Sequence, residues 1–418
     1  MRKTALVTLF ATLAALTSSC AMLGLKPQLE EVQKLQLFTG TVSRASRSDA
    51  PVIVVLLDRR EGAQPIAAYD LLPRDGDYYL VAMPGTYEVV AFEDANRDFV
   101  YQRAERVGRL DGPPLDAAED LGERTRGRIA IESAGAGTDV ALDLSTTGLA
   151  DSVPRRAARL GAVTTLDDPK FSPANAARGV YKPFDFLREV GPALYFLEPY
   201  DPDRTPVLLV HGMGGSPRDF ETIVASLDRS RFQPWVYHYP SGMPLTLSSW
   251  FLDQALEELR ARHGFTAMTL VAHSMGGLVS RGALVMRVEQ GQPPPVDHLV
   301  TISTPWRGHA GARLGVKGAP VVVPSWRDMD PGSAFQQRLF ASRLSPPLTF
   351  DLLFGHRGGS LFTPGADDGS VAVSSMLAYA AQDEARFVYG LDEDHTSVLR
   401  SEKTLAILDR LLGPAPAP

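Results

Sequence analysis

The sequence predicts an α/β protein: a doubly wound, mostly parallel sheet preceded by a small all-β, sandwich-like domain. Two patterns predict it. From about residue 179 onward, buried apolar strands alternate with amphipathic helical stretches, as βαβ units require. Across residues 37–145, short β-rich runs are separated by turn residues, the texture of a sandwich. The composition agrees, because 418 residues with 44% hydrophobic and 22% charged side chains can bury two or three ordinary cores.

Taken in order, the chain opens with Arg2 and Lys3, followed by an uncharged stretch from Thr4 to Leu25. Its first part, Ala5 through Leu16, reads as the apolar core of an export signal. Thr17-Ser18-Ser19 then leads into Cys20, which resembles a bacterial lipoprotein signal, with Cys20 as the lipidated first residue of the mature chain. Thr17 stands where an aliphatic residue is usual. The alternative is an uncleaved helical anchor, since the uncharged window is about long enough to span a bilayer. Either way residues 1–20 predict export to the bacterial cell envelope, with membrane attachment through the N-terminus.

Residues 21–36 read as a tether with little of its own to bury. Strands are expected at Leu37–Val42, Val52–Leu57, Tyr78–Ala82, Thr86–Phe92, Arg128–Ile131 and Val140–Leu142. Leu110 to Arg126 is acidic and rich in Gly and Pro, hence a loop. Residues 146–178 form a polar connector, residues 179–413 the α/β domain, and residues 414–418 a short tail.

Totals exclude several function classes. The net charge of −7 offers no basic surface for nucleic acid. A single cysteine rules out an intramolecular disulfide and a cysteine-built zinc site. Gly (36) and Pro (32) are plentiful but follow no period, so a collagen-like or disordered chain is excluded. In the first domain, Asp94, Asn96 and Asp98 with Glu105 have the oxygen spacing of a calcium loop. Phe99 stands where such a loop needs glycine, and the flanks read as strands. The competing reading is a hairpin loop whose Asx residues cap their own backbone.

The chemistry-bearing pattern lies in the second domain. Thr269-Leu270-Val271-Ala272 is a buried strand running into His273-Ser274-Met275-Gly276-Gly277, and a helix follows. Strand, sharp turn and helix with Ser between small residues is the context of a nucleophile elbow. Ala272 and Gly276 supply the small residues two before and two after Ser274. Upstream, Pro206–Val210 is another buried strand, ending in His211-Gly212-Met213-Gly214-Gly215. The expected oxyanion-hole donors are the backbone N–H groups of Met213 and Met275. His211 and Gly212 support that turn, His211 as an orienting residue and not a base.

A base must follow an acid, in the order Ser, Asp, His. Of the four histidines after Ser274, His298 opens a strand, and His309 and His356 precede the best acids, leaving His395. For the acid, Asp367 and Asp368 are adjacent, and Asp368, directly before Gly369, is favoured with Asp367 in reserve. Asp392 and Asp394 are expected to face solvent or to steady the loop of His395.

These motifs resemble the α/β-hydrolases of the bacterial esterase/lipase group. The resemblance covers about Gly179 to Leu412 and rests on Val210-His211-Gly212, on Ala272-His273-Ser274-Met275-Gly276-Gly277 and on Ser303-Thr304-Pro305. It also includes Asp330-Pro331-Gly332-Ser333, Asp368-Gly369-x-Val371 and His395. It implies oxyanion turn, nucleophile, pocket edge, cap region, acid and base at these positions, and an α/β-hydrolase sheet.

The expected function is a serine esterase or lipase working through an acyl-enzyme, with no metal or organic cofactor. Two apolar segments, Pro240–Phe251 and Trp306–Leu348 with Trp326, Met329, Phe335 and Leu339, are candidates for an acyl-binding cap; they read equally well as packed core. An acyltransferase with the same triad, or an inactive envelope-anchored binding module, are the alternatives.

Overall fold

The computed structural model describes residues 24–46, 48–60, 66–112, 114–117, 123–131, 133–134, 142–144, 160–344, 348–359 and 365–413. The segment expected to be an export signal, Cys20 and residues 414–418 lie outside the described residues. Among the described residues no helix is long and apolar enough to cross a membrane.

Residues 25–33, expected as part of a tether, instead form helix α1 (Leu25–Gln33). Leu25, Leu29 and Val32 are spaced so that they fall on one face of this helix. That face is packed: Leu25 is fully buried, and Leu29 and Val32 lie against apolar clusters of the second domain.

The β domain follows. Its strands are β1 (Gln36–Arg44), β2 (Val52–Asp58), β3 (Ile66–Leu72), β4 (Gly76–Ala82), β5 (Gly85–Glu93), β6 (Arg106–Arg109), β7 (Leu115–Ala117), β8 (Glu123–Ile131) and β9 (Ser133–Ala134). One sheet has the order β4-β1-β8, and a second has the order β3-β2-β5-β6-β9 with β7 paired to β5. The stretch expected as a loop, Leu110 to Arg126, therefore contains β7 and the beginning of β8. Phe38, Val42, Leu80 and Ile129 of the first sheet meet Val52, Val54, Leu56 and Val89 of the second in one sandwich core. Two carboxylates of the calcium-spaced loop are buried: Asp94 accepts the Asp98 and Phe99 amides, and Glu105 accepts those of Ala95 and Gln102. The oxygens thus cap their own loop, as Asx turns do.

The run Val52–Leu57 is apolar at every position, which a strand wet on one face would not tolerate. Its second face explains it. Ile53, Val55 and Leu57 join Val90, Phe92, Tyr69, Phe99 and Leu144 in a separate cluster that reaches Ala261 of the second domain.

That second domain comprises β10 (Ala162–Val163), α2 (Pro173–Tyr181), α3 (Pro183–Glu189), β11 (Ala193–Phe196), β12 (Thr205–Val210), α4 (Glu221–Ser226), β13 (Phe232–His238), α5 (Leu245–His263), β14 (Thr269–His273), α6 (Met275–Glu289), β15 (His298–Ile302), α7 (Ala310–Gly318), α8 (Pro324–Met329), α9 (Ala334–Leu339), β16 (Thr349–Gly355), α10 (Val373–Met376), α11 (Tyr379–Glu384), β17 (Phe387–Leu391) and α12 (Glu402–Leu412). The sheet order is β10-β11-β13-β12-β14-β15-β16-β17, parallel except between β11 and β13. Its first strand and the first six residues of α2 thus fall inside the stretch 146–178 expected as a connector. Alternate residues of β12 serve opposite faces. Leu208 and Val210 pack with α5 and α6 through Leu252, Leu256, Leu278 and Val279, whereas Val207 and Leu209 pack with α4 and α12 through Ile223, Leu408 and Leu411. Both faces are covered, so the strands read as unbroken apolar runs.

The two domains meet along α5. Arg262 lies over the Phe99 ring, 4.3 Å to its centroid, and donates to the Leu144 carbonyl at 3.0 Å. The Tyr69 hydroxyl donates to Glu258, and Arg287 on α6 pairs with buried Asp253 and Glu257. Asp70, 1% exposed, receives the Tyr79 amide at 2.8 Å. Burial pushes its carboxyl up to about 7, against the pull of that amide and of Arg287.

A carboxyl raised in this way holds a proton in the folded chain that the unfolded chain releases near pH 4, roughly the free value for aspartate. Its contribution to stability is therefore present at low pH and is lost as pH rises toward about 7. Asp70→Asn should remove that dependence. The difference in Tm, variant minus parent, is expected to rise from about pH 4 to about pH 7 and then to level off, which thermal unfolding followed by circular dichroism measures; a pH-independent difference contradicts it.

Candidate active site

The register brings the strand ends together. Val210 pairs with Ala272, and His273 with Ile302, so the turn after β12 and the turn after β14 sit side by side. On the other side, Gly355 at the end of β16 pairs with Leu391 at the end of β17. The loops after these last two strands, carrying Asp368 and His395, are consequently neighbours.

Ser274 sits between β14 and α6 with φ 53° and ψ −128°, a conformation rarely adopted by a residue with a side chain. Its neighbours make that turn possible. A Cβ on Gly276 would lie 2.2 Å from the Val210 carbonyl oxygen and 2.6 Å from that of His211, so only glycine fits. Ala272 is fully buried but accommodated. The Ser274 amide donates to the Ile302 carbonyl at 2.8 Å, fixing the turn to the next strand.

The structure brings Ser274, His395 and Asp368 into one hydrogen-bonded chain. His395 Nε2 lies 3.0 Å from Ser274 Oγ, and His395 Nδ1 lies 2.7 Å from Asp368 Oδ2. With the Nδ1 proton donated to the carboxylate, Nε2 presents its lone pair to the serine hydroxyl. Burial works to raise the Asp368 carboxyl; the hydrogen bond and charge of His395 and the Val371 and Ser370 amides outweigh it and hold it below the usual aspartate value. Asp367 points elsewhere, accepting the amides of Gly359 and Gly369. Asp394 accepts the Ser397 and Thr396 amides, which hold its carboxyl down to about 2 and brace the turn after His395.

In the turn after β12, the Gly214 amide donates to Ser241 Oγ and the Gly215 amide to the Gly212 carbonyl. The Met213 N–H has no such partner among the described residues, and neither does that of Met275 at the first turn of α6. Gly212 stands directly against the serine: a Cβ there would lie 2.9 Å from Ser274 Cβ. The helix N-terminus adds its partial positive charge at the same spot.

Three further histidines hold this arrangement in place. His273 donates from Nε2 to the His395 carbonyl at 2.8 Å, and burial with the nearby His395 pushes it down to about 3, so it stays neutral. His309 caps α7 through Nδ1, and its Nε2 donates to the Ser370 carbonyl at 2.9 Å, beside Asp368. His211 is pushed down to about 4 by burial and stacks on Tyr239, whose hydroxyl donates to the His211 carbonyl. The roles of His273 and His309 were not visible in the sequence, because both act on backbone carbonyls of loops distant in the chain. His298, by contrast, is tied to Asp351 at the other end of the sheet.

A cavity of about 450 Å³ opens over Ser274. Besides the turn after β12, His273, Ser274 and His395, it is lined by Arg218, Asp219, Glu221, Thr222, Thr396, Leu399 and Arg400. The apolar segments expected as a cap are packed: Met243, Leu245, Trp306, Met329, Phe335 and Leu339 are buried in the domain's cores. Among the described residues no cluster of three or more His, Cys, Asp or Glu could hold a metal ion.

The family profile agrees with this architecture. The sequence profile of the alpha/beta hydrolase fold matches residues 205–343. Solved structures similar to this chain include the mature lipase of Bacillus licheniformis, at 18% identity over 53% of this chain and 98% of that one, with a TM-score of 0.43. A carboxylesterase of Nitrososphaera gargenis is 15% identical over 53% and 94%, with a TM-score of 0.35. A phospholipase of Legionella pneumophila is 17% identical over 41% and 45%, with a TM-score of 0.34. No curated protein matches the chain. The second domain has the α/β-hydrolase fold, preceded by a β-rich domain with largely antiparallel sheets.

Gly276→Ala tests the turn. The obstructing atoms are backbone carbonyls that cannot swing away, so the variant should lose about 1–3 kcal/mol or more of stability in urea unfolding. An unchanged midpoint would contradict the geometry.

Proposed function

We propose that the protein is a serine hydrolase of carboxylic esters, acting through an acyl-enzyme. Ser274 Oγ attacks the ester carbonyl while His395 Nε2 takes its proton, and Asp368 keeps the imidazole in the required tautomer. The Met213 and Met275 N–H groups receive the oxyanion. The alcohol leaves with the proton from His395, and a water activated by the same imidazole then releases the acid. The observation that carries this reading is the contact chain of 2.7 Å and 3.0 Å from Asp368 through His395 to Ser274, beside the Met213 and Met275 N–H groups, which have no partner among the described residues.

The export signal and Cys20 support a location in the bacterial cell envelope, with the N-terminus lipidated and the substrate an acyl or lipid ester. Acid hydrolysis of the purified mature chain and mass analysis of its N-terminal peptide test the lipid; an unmodified Cys20 would remove that part.

A fluorophosphonate probe should label the parent and not Ser274→Ala, which should also lose aryl-ester turnover while its melting temperature stays unchanged. Asp368→Asn should lower kcat by about 10⁴, whereas Asp367→Asn should stay within about tenfold of the parent. Equal effects of the two aspartate variants would overturn the assignment of the acid.

A further inference from the structure

We propose that α1 occupies an acyl-chain groove beside the catalytic cavity, so that the N-terminal helix sets which esters the protein accepts. The proposal rests on the ester-hydrolase reading and extends it to chain length.

The cavity over Ser274 offers little to an acyl chain. Two arginines, two carboxylates and two threonines line it, with Leu399 and Met213 as its larger apolar side chains. Such a lining suits a small or polar group. The extended apolar surface lies on the other side of the same turn. Met213 packs there with Val180, Tyr181, Val321, Val323 and Trp326. Gly214 touches this surface as well, since a Cβ on it would lie 3.8 Å from Val180 Cγ2. An acyl chain bound to Ser274 that turned past Met213 would run straight into it.

In the structure Leu25 and Leu29 of α1 fill that place, Leu25 with no exposed surface at all. Val32 continues the contact onto Leu187, Met243 and Phe251. The polar attachment of the helix is slight. Gln28 Nε2 donates to Asp185 Oδ1 at 3.1 Å, and the Asp185 amide donates to Gln28 Oε1 at 2.8 Å. Lys26 and Glu30, on the outer face, pair loosely with each other and not with the domain beneath. A nine-residue helix does not persist by itself, so α1 exists as a helix because it is docked. Leucine side chains and an acyl chain are both apolar occupants of such a groove, and each methylene inserted recovers part of the burial lost when a leucine leaves. Esters with short acyl chains need no displacement; long ones must displace α1.

The test compares 4-nitrophenyl acetate with 4-nitrophenyl octanoate on the full chain, in the parent, in Leu25→Ala/Leu29→Ala and in Gln28→Ala. The Gln28 variant weakens docking without altering any apolar side chain, which covers the possibility that the double variant folds poorly. Freeing the groove raises the competent fraction, so kcat/KM for octanoate relative to acetate should rise about tenfold in the double variant and less in Gln28→Ala, with acetate turnover unchanged. An unchanged ratio in both variants overturns the proposal. A parallel fall on both esters also overturns it, because α1 would then be a support of the turn and not an occupant of a groove. A parent that neither turns over acetate nor reacts with a fluorophosphonate would instead refute the ester-hydrolase reading itself.

Discussion

The strained backbone at Ser274 is the constraint on which the rest of this site depends. A residue at φ 53° projects its side chain away from the sheet and into the space above the strand ends. It can do so only because Gly276 lets α6 begin directly against the carbonyls of Val210 and His211. The same approach brings Gly212 against the serine, so Ser274 and the turn after β12 are fixed relative to each other by backbone contact. A second strained residue, Ser303, also with φ 53°, repeats the device one strand further along. Its amide donates to the Leu353 carbonyl, and its hydroxyl receives the Gly355 amide. The strand ends are thus laced to one another across the sheet, and the loops they launch inherit their rigidity.

On that frame the histidines divide by environment. His211, His238 and His273 are buried, and burial drives all three toward the neutral form. A neutral imidazole is a fixed hydrogen-bonding spacer, and these three serve backbone and one another. His395 sits at the cavity with its ring between a carboxylate and a hydroxyl, the arrangement in which a proton can be taken up and given back. What sets His395 apart from the buried histidines is therefore its placement, not its residue type.

Local patterns in the sequence carried most of this. Thr269–Ala272 followed by small residues around Ser274 specifies strand, turn and helix within a dozen positions, and chain order singled out His395 and the Asp367-Asp368 pair. What stayed hidden was non-local. The strand β10 is two residues long and is defined by its partner β11, so no periodicity in residues 146–178 announces it. Helix α1 has the right stripe, Leu25, Leu29 and Val32, but nine residues with Pro27 and a cluster of charges resemble a polar linker until the surface they cover is known. Whether Trp306 and Phe335 line an acyl site or fill a core could not be read from apolarity, which both roles demand. The all-apolar run Val52–Leu57 did hold a clue, since a sandwich strand buried on both faces needs something against its outer side, here the helix α5 of the other domain.

One consequence concerns the order in which the molecule is assembled. Gln28 and Asp185 are 157 positions apart, and the entire β domain lies between them. During synthesis α1 is made before either domain, yet the surface that makes it a helix is complete only after the second domain has folded, so domains finished one after another leave it unsatisfied throughout. A segment made before both domains docks after both. Its three apolar side chains remain available to chaperones through all that time, before the chain closes over them.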